Sequence, residues 1–194
     1  MSAGSGGSRL AIRRGSNLAR LVAGAALLAL AACGGGGGGG PTNPPPPTPQ
    51  IIFSPAGTNP TNAIALADGI GTDANNLFLD VRAASVTGLY GVSFDLKVPA
   101  LLRFAGRTQG TFLSAGGVQT AFQVTENPTG NLVIGLTRLG GSSGVNGSGV
   151  LMTLQFSAST AGTGAFEITN GVAVNEDGDR LDASFLAGSV QVIR

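Results

Sequence analysis

The sequence predicts an all-β fold, an antiparallel β-sandwich, and three observations predict it. Apolar and polar residues alternate in many short runs, the period-two mark of strands with one dry and one wet face. No long stretch keeps a 3.6-residue apolar period without Gly or Pro, so helices are not expected. Clusters of Gly, Ser and Asn punctuate the runs, as in Gly140–Gly149. Many short alternating strands mean a sandwich or barrel. One polar face per strand means antiparallel sheets that are wet on the outside.

The strands follow in chain order. Leu77, Leu79 and Val81 point inward and alternate with Phe78, Asp80 and Arg82. Tyr90, Val92, Phe94 and Leu96 form the next inward set, leaving Gly91, Ser93, Asp95 and Lys97 outside. Leu132, Ile134 and Leu136 alternate with Val133, Gly135 and Thr137. Val150, Met152, Leu154 and Phe156 read as inward, and Leu151, Thr153 and Gln155 as outward. Phe166–Thr169, then Asn170-Gly171, then Val172–Val174 reads as a hairpin with a type I′ turn. The last strand is Ser189–Ile193.

The first 49 residues read as an address and a spacer. Arg9, Arg13, Arg14 and Arg20 precede an uncharged apolar run, Leu21–Ala32. That run of 12 residues is too short for a hydrocarbon core, which needs about 20. A basic start, a short apolar run and small residues before a cut site make a secretory signal peptide over 1–32. Arg13-Arg14 is followed by Gly15, Ser16 and Asn17, not by the hydrophobic residues usual after a twin-arginine export pair. Leu30-Ala31-Ala32-Cys33 resembles the lipobox of bacterial lipoproteins. The resemblance implies cleavage before Cys33, diacylglycerol on its sulfur, and an exported protein anchored to the cell envelope. Gly34, rather than Asp, after the Cys implies the outer membrane in a Gram-negative host. Seven glycines, Gly34–Gly40, then give a coil of about 15 Å, and the proline-rich run Pro41–Pro49 adds roughly 28 Å. Residues 33–49 are therefore expected to be the lipidated Cys and a linker, and residues 50–194 the folded domain.

Composition removes several functions from that domain. The chain has 194 residues, no His, no Trp and one Cys. The commonest general base, Cys-rich zinc sites and disulfides are thereby excluded. All ten acids lie after residue 67, so cleavage before Cys33 leaves seven basic residues and a net charge of −3. Such a chain is a poor nucleic-acid binder. Asn175-Glu176-Asp177-Gly178-Asp179 is the densest acidic cluster, but its Gly is fourth and its twelfth residue is Leu186, which does not fit a calcium loop. It reads as a solvated hairpin turn. The glycines of 140–149 lack the Lys and the following helix of a phosphate loop. Asp80, Asp95, Glu126 and Glu167 are the carboxylates that glycoside hydrolysis would have to draw on. Most sit at outward strand positions, where a solvated acid is the default, so no enzyme is expected.

Three segments together resemble the cohesin domain family. They are Gly88–Phe104; Gly144–Phe156 with Ala158 and Ala161-Gly162-Thr163; and Asp177–Leu181 with Gly188–Val192. One departure is Val98-Pro99, where many cohesins read Tyr-Asp-Pro. The resemblance implies a nine-stranded jelly roll, over 50–194, that binds a dockerin through the outward face of one sheet. It implies no cofactor on this chain, any calcium belonging to the partner. On this sequence the partner face maps to Ser93, Asp95, Lys97, Gln123, Val133, Thr137, Leu151, Thr153 and Gln155, with Leu151 and Val133 as apolar residues on a wet face. The alternative is a carbohydrate-binding module, since the same architecture hosts both. Sugar faces stack on exposed aromatic rings, and here most Phe residues and the one Tyr read as inward. A third reading is a structural part of an envelope assembly.

Overall fold

The structure, a computed structural model, describes residues 45–194. Residues 45–49 are exposed and carry no strand. Cys33, with the signal peptide and most of the linker, lies outside the described residues. The strands are β1 Gln50–Pro55, β2 Ala63–Asp68, β3 Asn76–Leu89, β4 Gly91–Lys97, β5 Leu102–Gln109 and β6 Thr120–Glu126. They continue with β7 Leu132–Arg138, β8 Val145–Ala158, β9 Gly162–Ala165, β10 Glu167–Val174, β11 Ser184–Leu186 and β12 Gly188–Ile193. Among the described residues the only helical element is one 3₁₀ turn, Ala115–Gly117.

The strands form sheets ordered β10-β4-β7-β6, β11-β2-β3-β8-β5 and β1-β12-β9. All neighbours are antiparallel except β11 and β2. Three neighbouring pairs in the chain are separated by a single residue: Tyr90 between β3 and β4, Phe166 between β9 and β10, Ala187 between β11 and β12. At each joint the chain changes sheet. The twelve strands are thus nine extended segments, which is how the expected nine-stranded jelly roll is built. Four of the six backbone N–H and C=O groups at the joints have a backbone partner. The Tyr90 amide donates to the Val174 carbonyl at 2.8 Å and the Tyr90 carbonyl accepts from Arg138 at 3.0 Å. The Phe166 amide donates to Gly188 at 2.9 Å, and the Ala187 carbonyl accepts from Ala56 at 2.8 Å.

All three sheets close on one hydrophobic core. Leu77, Leu79 and Val81 of β3 face it, as do Val92, Phe94 and Leu96 of β4 and Leu132, Ile134 and Leu136 of β7. Those alternations match the sequence pattern. Phe166 sits where the sheets meet. Its ring centroid lies 6.1 Å from Phe53 of β1 and 5.5 Å from Phe156 of β8. Phe104 of β5 extends the row, 6.0 Å from Phe156. The described residues form one compact unit that contains every described strand and their shared core, as a domain does.

Three local expectations are corrected. Asn170-Gly171 is not a hairpin turn: both flanks of β10 pair with β4, and the dipeptide makes a bulge between Thr169 and Val172. Asn170 takes the left-handed φ of 53°, and a Cβ built on Gly171 would lie 2.6 Å from the Phe185 ring. Leu151 is not outward but fully buried. The β3–β8 register steps from Val81–Met152 to Arg82–Val150, so Leu151 is the extra residue of a bulge and the alternation changes phase there. Val150 is accordingly half-buried. Tyr90 is also half-buried rather than inward, because it is a joint, and its hydroxyl donates to the Gly140 carbonyl at 2.6 Å.

Arg138 is the one buried charged side chain among the described residues. It donates to the Leu113 carbonyl at 2.6 Å, to Ala115 more weakly, and to the Ser142 hydroxyl at 3.2 Å. It ties two loops to the end of β7. Arg138→Met is expected to leave the Leu113 carbonyl unpaired and to lower stability by about 1–3 kcal/mol in urea unfolding. Phe166→Ala is expected to cost about 3–5 kcal/mol by the same measurement. A loss under about 1 kcal/mol would show that the rings do not join the sheets.

Candidate functional site

The outer face of the sheet β10-β4-β7-β6 is built in cross-strand rows. Val174, Gly91, Thr137 and Ala121 form one row, and Val172, Ser93, Gly135 and Gln123 the next. Thr169, Asp95, Val133 and Thr125 form the third, and Glu167 faces Lys97 at the end. The two middle strands therefore show small side chains in the first two rows, with Val172 and Val174 on the β10 side. The result is a shallow trough of about 410 Å³. A Cβ placed on Gly135 would meet nothing within 4 Å, so the trough floor is open there. A Cβ on Gly91 would lie 2.9 Å from the Thr137 hydroxyl and 3.3 Å from Val174, so that glycine is held by packing.

Polar groups border the trough and are largely engaged with each other. Asn170 Nδ2 donates to Asp95 Oδ2 at 2.6 Å, and Lys97 Nζ pairs with Glu167 Oε2 at 3.1 Å. Gln123 Nε2 donates to the Thr125 hydroxyl at 3.2 Å. Val133 is 48% exposed, a large aliphatic side chain on a wet face.

The structure divides the nine expected site residues. Ser93, Asp95, Lys97, Gln123, Val133 and Thr137 share this face. Thr153 and Gln155 do not, because β8 belongs to the other large sheet. Thr153 opposes Asp80 and Thr108 there, and its hydroxyl donates to Asp80 Oδ1 at 2.6 Å. Gln155 opposes Phe78 and Gly106. Leu151 is in the core and contributes to neither face. Missing from the expected set are Val172, Val174 and Thr169 of β10. Their alternation is present in the sequence, but it is interrupted by the Asn170 bulge, which the dipeptide disguises as a turn.

Of the carboxylates considered for hydrolysis, Asp95 and Glu167 share one face on neighbouring strands, and both are engaged by other side chains. Asp80 lies on the opposite sheet from Asp95, Asp95 accepts from Asn170, and Glu167 is held by Lys97. The Asn175–Asp179 cluster is a turn, and its Glu176 Oε2 accepts from the Gly144 amide at 3.0 Å. Asn175 Oδ1 accepts from the Asp177 and Asp179 amides, and Val174 bridges Arg180. Among the described residues no three acids or other ligating side chains group as a metal site.

No family model and no curated protein matches the chain. Solved structures do. The type II cohesin A11 from Bacteroides cellulosolvens is similar with a TM-score of 0.52 and 13% identity, over 74% of this chain and 97% of that one. The second type II cohesin module of the ScaA scaffoldin of Acetivibrio cellulolyticus gives 0.52 and 14% identity, over 72% of this chain and 88% of that one. The third cohesin of ScaC from Acetivibrio cellulolyticus, solved in complex with the ScaB dockerin, gives 0.52 and 14% identity, over 61% of this chain and 90% of that one. With that likeness added to the sheet order and the shared core, the folded domain of this chain has the jelly-roll β-sandwich fold of cohesin modules.

Proposed function

We propose that this domain is a non-catalytic adhesion module that binds a protein partner on the outer face of the β10-β4-β7-β6 sheet. The observation that carries the reading is the trough itself: an open floor at Gly135 beside exposed Val133 and flanking Val172 and Val174. A centre of small and apolar groups with a polar border is the anatomy of a protein interface. The partner class is a dockerin. The support is the fold shared with the cohesin of ScaC, which was solved with a dockerin bound. This domain would need no cofactor of its own. The sugar-binding alternative is disfavoured by the surface, since every aromatic side chain among the described residues is buried or half-buried. In the same reading the domain is carried on an exported lipoprotein anchored through Cys33 to the cell envelope.

Three experiments test this. Residues 45–194 are immobilised and titrated with calcium-loaded dockerin domains from the same genome. Binding at micromolar affinity or tighter is expected, and none to any of them would remove the dockerin reading. Gly135→Leu fills the trough floor where a Cβ meets nothing. Unfolding stability is expected to change by no more than about 0.5 kcal/mol, while binding falls at least tenfold. Unchanged binding would place the partner elsewhere. For the anchor, cells fed labelled palmitate are expected to label the full chain and not Cys33→Ser, and label on both would exclude lipidation at that residue.

A further inference from the structure

Sheet edges expose unpaired amides and carbonyls, and folded proteins blunt them. Among the described residues six strands lie at an edge: β1, β9, β10, β6, β11 and β5. Five carry a blunting device. β1 ends in Pro55, β9 has four residues, β11 has three, and β10 is broken by the Asn170 bulge. β5 has a bulge between Phe104 and Gly106 and exposes Arg103 and Arg107. β6 has none of these in its own strand, and β5 reaches it only through side chains, Arg107 over the Phe122 ring at 5.9 Å and Gln109 Nε2 donating to the Thr120 hydroxyl at 2.6 Å. Thr120–Glu126 runs seven residues without Pro, Lys or Arg, and it pairs with β7 in unbroken register.

The direction of its free groups follows from the ladder. Leu139 donates to the Gln119 carbonyl, and Asn127 donates to the Asn131 carbonyl. Both contacts continue the β6–β7 register, so the odd-numbered residues of β6 bond to β7. Thr120, Phe122, Val124 and Glu126 therefore turn their backbone N–H and C=O groups away from the sheet. An antiparallel copy of the same strand, centred on Gln123, matches this pattern. It sets Phe122 against Val124, Ala121 against Thr125, Thr120 against Glu126 and Gln123 against itself. Every free amide then finds a carbonyl, about eight bonds in all. Phe opposite Val is a favourable cross-strand pair, and no like charges face each other, because Glu126 is the only charged residue of the strand.

We infer that β6 is a homodimerisation edge, and that two copies of this chain pair β6 to β6 about a two-fold axis through Gln123. The two four-stranded sheets become one of eight strands, with both troughs on the same side. This does not depend on the partner proposed above.

The test uses the full chain in detergent and, beside it, residues 45–194 once circular dichroism shows a cooperative unfolding transition for them. In sedimentation equilibrium the mass is expected to rise from one copy to two between about 10 μM and 1 mM, as suits a small interface. A single-copy mass throughout would overturn the proposal. Gln123→Lys and Gln123→Glu each place like charges across the axis and are expected to weaken self-association at least about fivefold. An equimolar mixture of the two is expected to recover it. Self-association of either variant at the wild-type level, or a mixture no better than its parts, would place the interface elsewhere. Amide exchange gives the second readout. The Phe122 and Val124 amides are expected to slow with rising concentration, while those of Ala121 and Gln123 stay protected throughout. Exchange of Phe122 and Val124 that ignores concentration would overturn the assignment.

Discussion

The contact of Phe166 with Phe53 and Phe156 is the one on which the architecture depends. One residue separates β9, which pairs with β12, from β10, which pairs with β4. The backbone at that residue is tied to Gly188 and so to the three-stranded sheet. Its ring points instead into the core, against rings from β1 and β8. Burial alone is non-directional. Here the amide sets where the chain crosses, and the ring packing sets where it goes next. Tyr90 and Ala187 do the same work with backbone bonds at the other two crossings, without a buried aromatic ring. A sandwich whose strands change sheet so abruptly can keep few unpaired backbone groups, and at these joints four of the six have a backbone partner.

Because stability comes from the inner faces, the outer face of the β10-β4-β7-β6 sheet is free to be shaped. The two glycines in its floor differ in kind. Gly91 is demanded by its neighbours, since a side chain there would press on Thr137 and Val174. Gly135 is demanded by nothing in the fold, for its missing side chain would occupy open space. A glycine inside a strand costs stability through lost β-propensity and chain entropy. Accepting that cost where packing does not require it points to a requirement from outside the domain. This contrast, more than the depth of the trough, supports the binding surface proposed here.

Much of this was legible in the residue pattern, and the failures lie where strand pairing, not one strand's sequence, decides the outcome. Alternation placed the inner faces of β3, β4 and β7 correctly, because those stretches run without interruption through residues such as Leu77–Val81 and Leu132–Leu136. Where a bulge inserts one residue, the same rule reports the wrong side. Leu151 is buried for that reason, and Val172 and Val174 were hidden behind an Asn-Gly pair that is usually a turn. A bulge is a property of two strands, and one strand's sequence does not show it. Sheet membership is hidden in the same way. Thr153 and Gln155 have the look of site residues, yet β8 pairs with β3 and β5, and nothing local in Val145–Ala158 says so.

The charges on the candidate face narrow what a partner has to supply. Asp95 is already bonded to Asn170, and Lys97 to Glu167. The Lys97–Glu167 pair is exposed, so the pairing is worth little, about 0–1 kcal/mol. Its geometry nonetheless presents a neutral pair, whereas Asp95, bonded to the uncharged Asn170 amide, keeps its negative charge. A charged ligand that approaches the Lys97–Glu167 pair must displace one of its members and gains only the difference. Electrostatics here can steer and select a partner more than hold it. Holding falls to the apolar centre, where Val133, Val172 and Val174 stand beside a floor of small residues. Affinity at this face should therefore follow how well an aliphatic or small side chain fills the space over Gly135, with salt affecting the rate of approach more than the lifetime of the complex.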